Sequence, residues 1–343
     1  MRWILLFLIP EFAFATPPAS TADGLSQGQI QNAFRALRQD YIEEDELSFL
    51  EINRAALAGI LESLGQNAQL ITESPPKTPA DTPAVESFAP LAGYFRPIGF
   101  QIQELESFDK ALEDFTADGA STLVLDLRYP NQAPEFADCL QFLNRFLPEN
   151  TMAFKIGRDG NTFEEFATQP APHSWEGEII LLVDSDTSPG AEVVAHCLIH
   201  HLAGRVLTLG SPTMGNAAEY SIVPLSDDVQ LRFASSSLYL ADGTRLFRRP
   251  VTPEIHVSVF PAIKRGVFAQ SREIGLKPFI EDIERSFLNE AALVAGTNPE
   301  LALKIQNKSS EAESIEVQPL QDRCLQLALD FARIRSALKA PSD

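Results

Sequence analysis

ILLVDSDTSPGAEVVAH, residues 180–196, runs from an apolar strand through a short polar turn into a helix. Ser188 followed by Pro189 is a favoured helix start. A serine hydroxyl can accept an orphan backbone N–H, and a proline at the first helical position gives up an amide that would have no partner there. The flanks repeat the strand-then-helix theme. TLVLDLR (122–128) is a near-continuous apolar run, as expected of a strand buried on both faces. Residues 135–147 place Phe136, Leu140, Leu143 and Phe146 on one side of a helix. A strand at 178–184, a helix from about 190 to 203 and a strand at 205–210 follow. This order predicts an α/β fold built on a parallel sheet with right-handed crossovers. Residues 218–239 and 245–257 read as later strands, with a turn at Asp242-Gly243.

The ends of the chain have a different character. MRWILLFLIPEFAFA, residues 1–15, has one arginine, an apolar stretch and a small-residue ending, the pattern of a secretory signal. It implies export, periplasmic or secreted. No other window approaches the ~18 apolar residues of a membrane span. Residues 25–70 read as a helical segment, with Ile30, Phe34, Leu37 and Tyr41 on one face and a second helix over 47–64. Residues 71–92 carry Pro75, Pro76, Pro79, Pro83 and Pro90 and read as a linker. The core spans 93–262, and helices return over 278–343, interrupted by a polar stretch near 307–316. The 27 Lys and Arg against 47 Asp and Glu give a net charge of −20, which argues against nucleic-acid or anionic-membrane partners. Cys139, Cys197 and Cys324 are too scattered for a disulfide framework or a zinc site, and their redox state is left open.

Five motifs in order resemble the tail-specific (C-terminal-processing) serine proteases, whose core is a ClpP/crotonase-like α/β fold. LVLDLR (123–128) matches the family's opening Leu-Asp-Leu-Arg strand, and the quoted stretch matches its nucleophile segment, with Glu192 in register. GRVLTLGSPTMGNA (204–217) and PVTPEIHV (250–257) are similar to its later segments, and Tyr41 through AALAGILESLG (55–65) to its helical front. The linker is too short for the PDZ domain that many members carry there.

The resemblance implies a serine nucleophile and a lysine base, the lysine's pKa lowered toward neutrality by desolvation so that it can take the serine's proton. At the nucleophile's position, three residues before Glu192, stands Pro189, which has no hydroxyl. The base's position is Asn216, whose amide accepts no proton near neutral pH, and a family glutamine corresponds to Tyr220. The glycine-bearing oxyanion loop is replaced by Tyr129-Pro130-Asn131-Gln132-Ala133-Pro134. Gly190, Ala191, Gly215, Asn131 and Gln132 are the expected lining of the cleft. Ser188 is the fallback nucleophile, against its reading as a helix cap. Glu192, His196 and His200 share a helix face at i, i+4 and i+8. Without an HExxH pattern or a ligand from another element, they read as ordinary polar residues, and no metal or other cofactor is expected. Asp126 and Arg128 read as anchors of the strand end.

The function so implied is that of an exported relative without peptidase activity that binds peptide, unfolded protein or a small apolar ligand. A homo-oligomer built on the C-terminal helices is compatible with this reading. The alternative is an active serine peptidase using Ser188 or a relocated base. Crotonase-type chemistry would need a coenzyme A pocket, which no motif supports.

Overall fold

The computed structural model describes residues 24–42, 48–72, 82–128, 136–158, 163–280 and 320–339. The signal-like N-terminus, the oxyanion-loop counterpart 129–134 and the polar stretch near 307–316 lie outside them. The chain divides into two compact units, residues 1–69 and 70–343. In the first, α1 (Gln27–Asp40) starts at a reciprocal cap between Ser26 and Gln29. Helix α2 (Phe49–Leu64) starts at Ser48, whose hydroxyl accepts the Glu51 N–H at 3.2 Å. The strand β1 (Ala68–Thr72) straddles the division.

The second unit is built on a six-stranded sheet. Its strands are β2 (Ala84–Phe88), β3 (Ala92–Arg96), β4 (Thr122–Asp126), β7 (Glu178–Val183), β8 (Val206–Gly210) and β11 (Ile255–His256), in spatial order β11-β8-β7-β4-β3-β2. All neighbours are parallel except β2 with β3. The apolar run of β4 has the predicted cause, since successive residues serve opposite faces. Leu123 and Leu125 pack with Ile179 and Leu181 under α3 (Ile102–Ala117), α4 (Phe136–Leu143) and α5 (Pro189–His201). Val124 packs with Ile180 and Leu182 under α6 (Pro261–Ile274) and α7 (Arg323–Lys339).

A second, antiparallel sheet contains β5 (Met152–Gly157), β6 (Phe163–Ala167), β9 (Ala218–Pro224) and β10 (Val229–Leu240). Several sequence expectations need correction. Part of the stretch read as linker is β2, because AVESF pairs residue for residue with β3. The strand read over 245–257 shrinks to Ile255–His256, since Pro250 and Pro253 have no N–H to give a ladder. The helix α6 begins well before 278. Helix α7 lays its apolar face (Leu325, Ala328, Leu329, Ala332) on the chain's own sheet, so that face is not available for self-association.

A buried ionic hub fixes this last arrangement. Arg128 donates to both oxygens of Asp126 (2.9 and 2.7 Å) and to both of Asp322 (3.1 and 2.8 Å). The three side chains are between 0% and 3% exposed. Burial pushes the Asp126 carboxyl up, but Arg128 outweighs it and holds the group below its ordinary value. Asp322 also caps α7, accepting the N–H groups of Cys324 (3.1 Å) and Leu325 (3.0 Å). Arg335 of α7 pairs with Glu178 of β7 one sheet-length away. Removing one partner of such a buried pair costs about 3–5 kcal/mol. Asp322→Ala should therefore lower the urea midpoint of the chain by that much stability, with Asp322→Asn, which keeps a capping oxygen, falling between. An unchanged midpoint for Asp322→Ala would show that α7 is not held in this way.

Candidate functional site

The turn of the quoted stretch delivers α5 with its N-terminus beside the carboxyl ends of the parallel strands, where ligands of open α/β sheets bind. Ser188 is the N-cap. Its Oγ accepts the Ala191 N–H at 3.3 Å, and the residue is 5% exposed. Pro189 occupies the first helical position and is half-buried. Gly190, Ala191 and Gly215 are buried. The thiol of Cys139 on α4 donates to the Gly190 carbonyl at 3.7 Å. Asn131 and Gln132 fall outside the described residues.

Glu192 organises what surrounds this helix start. It is fully buried, and its Oε1 accepts the Gly215 N–H at 2.6 Å, while Oε2 has no partner at hydrogen-bonding geometry among the described residues. Burial raises its carboxyl above the ordinary value. The Thr213 hydroxyl and the amides of Gly215, Asn216 and Ala217 counter that only in part. The loop thus gripped is also stitched to residues 246–251. Thr213 exchanges bonds with Val251 through its amide and hydroxyl (3.2 and 2.9 Å), and Arg248 N–H donates to Gly215 O at 2.8 Å. Gly215 sits at φ +70, and a Cβ there would meet the Arg249 and Pro250 nitrogens at 2.9 Å, so only glycine fits. Asn216 follows it, and the Tyr220 hydroxyl donates to the Asn216 carbonyl at 3.2 Å. The face of α5 does not converge on a common centre. Glu192 turns to Gly215, His196 Nε2 lies 3.1 Å from the Arg249 carbonyl, and His200 faces Asp242 at 3.8 Å.

One lysine that sequence spacing could not place enters the site. Lys264, on α6 and 5% exposed, donates to the Arg128 carbonyl (3.1 Å), Asp184 Oδ2 (2.5 Å) and Asp186 Oδ2 (2.7 Å). With Arg128, Ser211 and Cys324 these residues line a small open crevice at the ends of β4, β7 and β8. Ser188 does not line it. The lysine pins the turn that leads into α5.

The strand β9 leaves this loop along β10. Leu225 N–H donates to Val229 O at 2.9 Å, which sets the phase of the antiparallel ladder. Ser221 and Val223 bond inward to Phe233 and Leu231, while Tyr220 and Ile222 turn their N–H and C=O groups outward. No other described strand pairs with β9.

Residues 92–257 match the family model of Peptidase family S41. The match falls on the α/β core of this chain, which has the ClpP/crotonase-like fold and is similar to the core of the tail-specific proteases. A carboxy-terminal-processing protease of Bartonella bacilliformis is 26% identical over 169 residues, which cover 48% of this chain and 38% of the relative. The chain therefore spans well under half the length of that relative. A presumptive peptidase of Parabacteroides merdae shares the fold with a TM-score of 0.50 at 13% identity, covering 71% of this chain and 85% of that one. Among the described residues, no helix is long and apolar enough to cross a membrane.

Glu192 gives the site a pH signature. Because its native value is raised above the ordinary 4.5, its contribution to stability is full below the unfolded-chain value. It is lost as pH climbs through the native value. Glu192→Gln, which keeps the acceptor for Gly215, should flatten that fall in urea unfolding curves recorded from about pH 4 to 8. Parallel curves for the two proteins would contradict the assignment.

Proposed function

We propose that this chain is an exported relative of the tail-specific proteases that no longer cleaves peptides and binds an extended peptide instead. The observation that carries the proposal is the helix start. Ser188, the hydroxyl nearest the family's nucleophile position, is buried and spent on the Ala191 N–H, and Pro189 beside it has no hydroxyl. Asn216 stands where the resemblance calls for the base, and Tyr220 where it calls for glutamine. Lys264 does not replace the base. Its three protons go to three acceptors, the Arg128 carbonyl and the carboxylates of Asp184 and Asp186, and none of these is Ser188. Export rests on the signal-like residues 1–15, and the peptidase relationship makes peptide or protein the expected ligand class. The outward N–H and C=O groups of Tyr220 and Ile222 support an extended backbone as the ligand, since an added strand satisfies them.

The rival reading is a serine peptidase that uses Ser188. Incubation of the purified chain with unfolded casein and with C-terminally tailed peptides, followed by mass spectrometry, separates the two. The proposal predicts no serine-dependent fragments and the same result for Ser188→Ala. Cleavage by the parent chain that Ser188→Ala abolishes would overturn it.

A further inference from the structure

The segment that braces the Gly215 loop carries a concentration of positive charge that the acidic whole conceals. Residues 241–250 hold Arg245, Arg248 and Arg249 against one acid, Asp242, in a chain of net charge −20. All three arginines are exposed. The guanidinium carbons of Arg245 and Arg248 lie 5.2 and 5.6 Å from the centre of the Phe247 ring, so one aromatic side chain seats both cations. The backbone beneath them is fixed. Arg248 is held at φ 61 while its N–H donates to Gly215 O, and Arg249 N–H donates to Leu246 O at 2.9 Å. Arg245 Nε donates to Ser237 Oγ at 2.9 Å, and its backbone bridges Tyr239 of β10. Ser237 is also the residue paired with Ala218, where β9 begins. The cluster therefore sits at the end of the open β9 edge, next to Gly215 and Asn216.

Among the described residues, none of the three guanidinium groups is in an ion pair within 4.0 Å. Asp242, the nearest acid in sequence, feels the charge of Arg249 and faces His200. The buried arginines are used differently: Arg128 and Arg145 are each locked bidentately onto carboxylates.

We propose that Arg245, Arg248 and Arg249 form the specificity element of the β9 edge and select an extended peptide bearing Asp or Glu side chains. This rests on the reading that the β9 edge accepts an extended peptide, and it adds the chemical class of that peptide. Planar guanidinium groups suit carboxylates, which they meet through two parallel hydrogen bonds. A single exposed pair discriminates weakly and is screened by salt, so the selection comes from the three acting together on a multiply acidic segment. The acidic remainder of the chain repels the same peptide elsewhere and confines it to the one basic patch.

The test uses the full chain and two fluorescent peptides in anisotropy titrations. One is an extended peptide with several Asp and Glu residues, and the other is its Asn/Gln counterpart. The acidic peptide should bind about tenfold more tightly, a difference the three contacts can supply. That preference should vanish in Arg245→Glu/Arg248→Glu/Arg249→Glu and shrink as salt rises, while Lys110→Glu on the outer face of α3 leaves it intact. Equal binding of the two peptides would overturn the charge selection and leave the peptide reading standing. Binding of neither would overturn both, and a preference that survives the triple substitution would place the selecting charge elsewhere.

Discussion

Everything at the carboxyl end of the main sheet depends on the Arg128 guanidinium and the two aspartates that hold it. Asp126 ends β4 and Asp322 begins α7, and one arginine satisfies both through four hydrogen bonds. An unpaired charge at that depth would be far more costly than the pair, so the C-terminal helix must close over the sheet for the hub to be tolerable. The Arg128 carbonyl then accepts from Lys264, whose other protons hold Asp184 and Asp186, and those residues open the turn into α5. A chain of polar contacts thus runs from the last helix to the turn that precedes α5.

At that helix the polar groups are held within the fold itself. Glu192 still grips the Gly215 loop, and glycine is still required there by its positive φ and the backbone of Arg249 and Pro250. What differs is local. A proline at the first helical position suits a helix start well, and a serine just before it suits a cap. Those two choices are good for the helix and poor for a nucleophile, which needs its hydroxyl exposed and unbonded to its own backbone.

The parallel sheet was legible in the sequence because strands buried on both faces read as unbroken apolar runs, as Leu123 to Leu125 and Ile179 to Val183 do. The start of α5 was legible because Ser-Pro is a local signal. The helix α3 and the strands β5 and β6 escaped the reading. Lys264 was invisible as a site residue because 136 positions separate it from Arg128, and no spacing rule reaches that far. The hub with Asp322 was hidden for the same reason, and its absence from the reading left α7 looking like a free amphipathic helix. Proline explains the opposite error at 245–257, which read as a strand that Pro250 and Pro253 cannot complete.

The central claim is that no nucleophilic hydroxyl stands at the start of α5. Intact-mass and peptide-mass measurement after exposure to an activated acyl ester tests it without assuming a substrate. The account predicts no acyl group on the peptide that contains Ser188. An acyl adduct on Ser188 that forms in the folded chain and is lost on unfolding beforehand would contradict it.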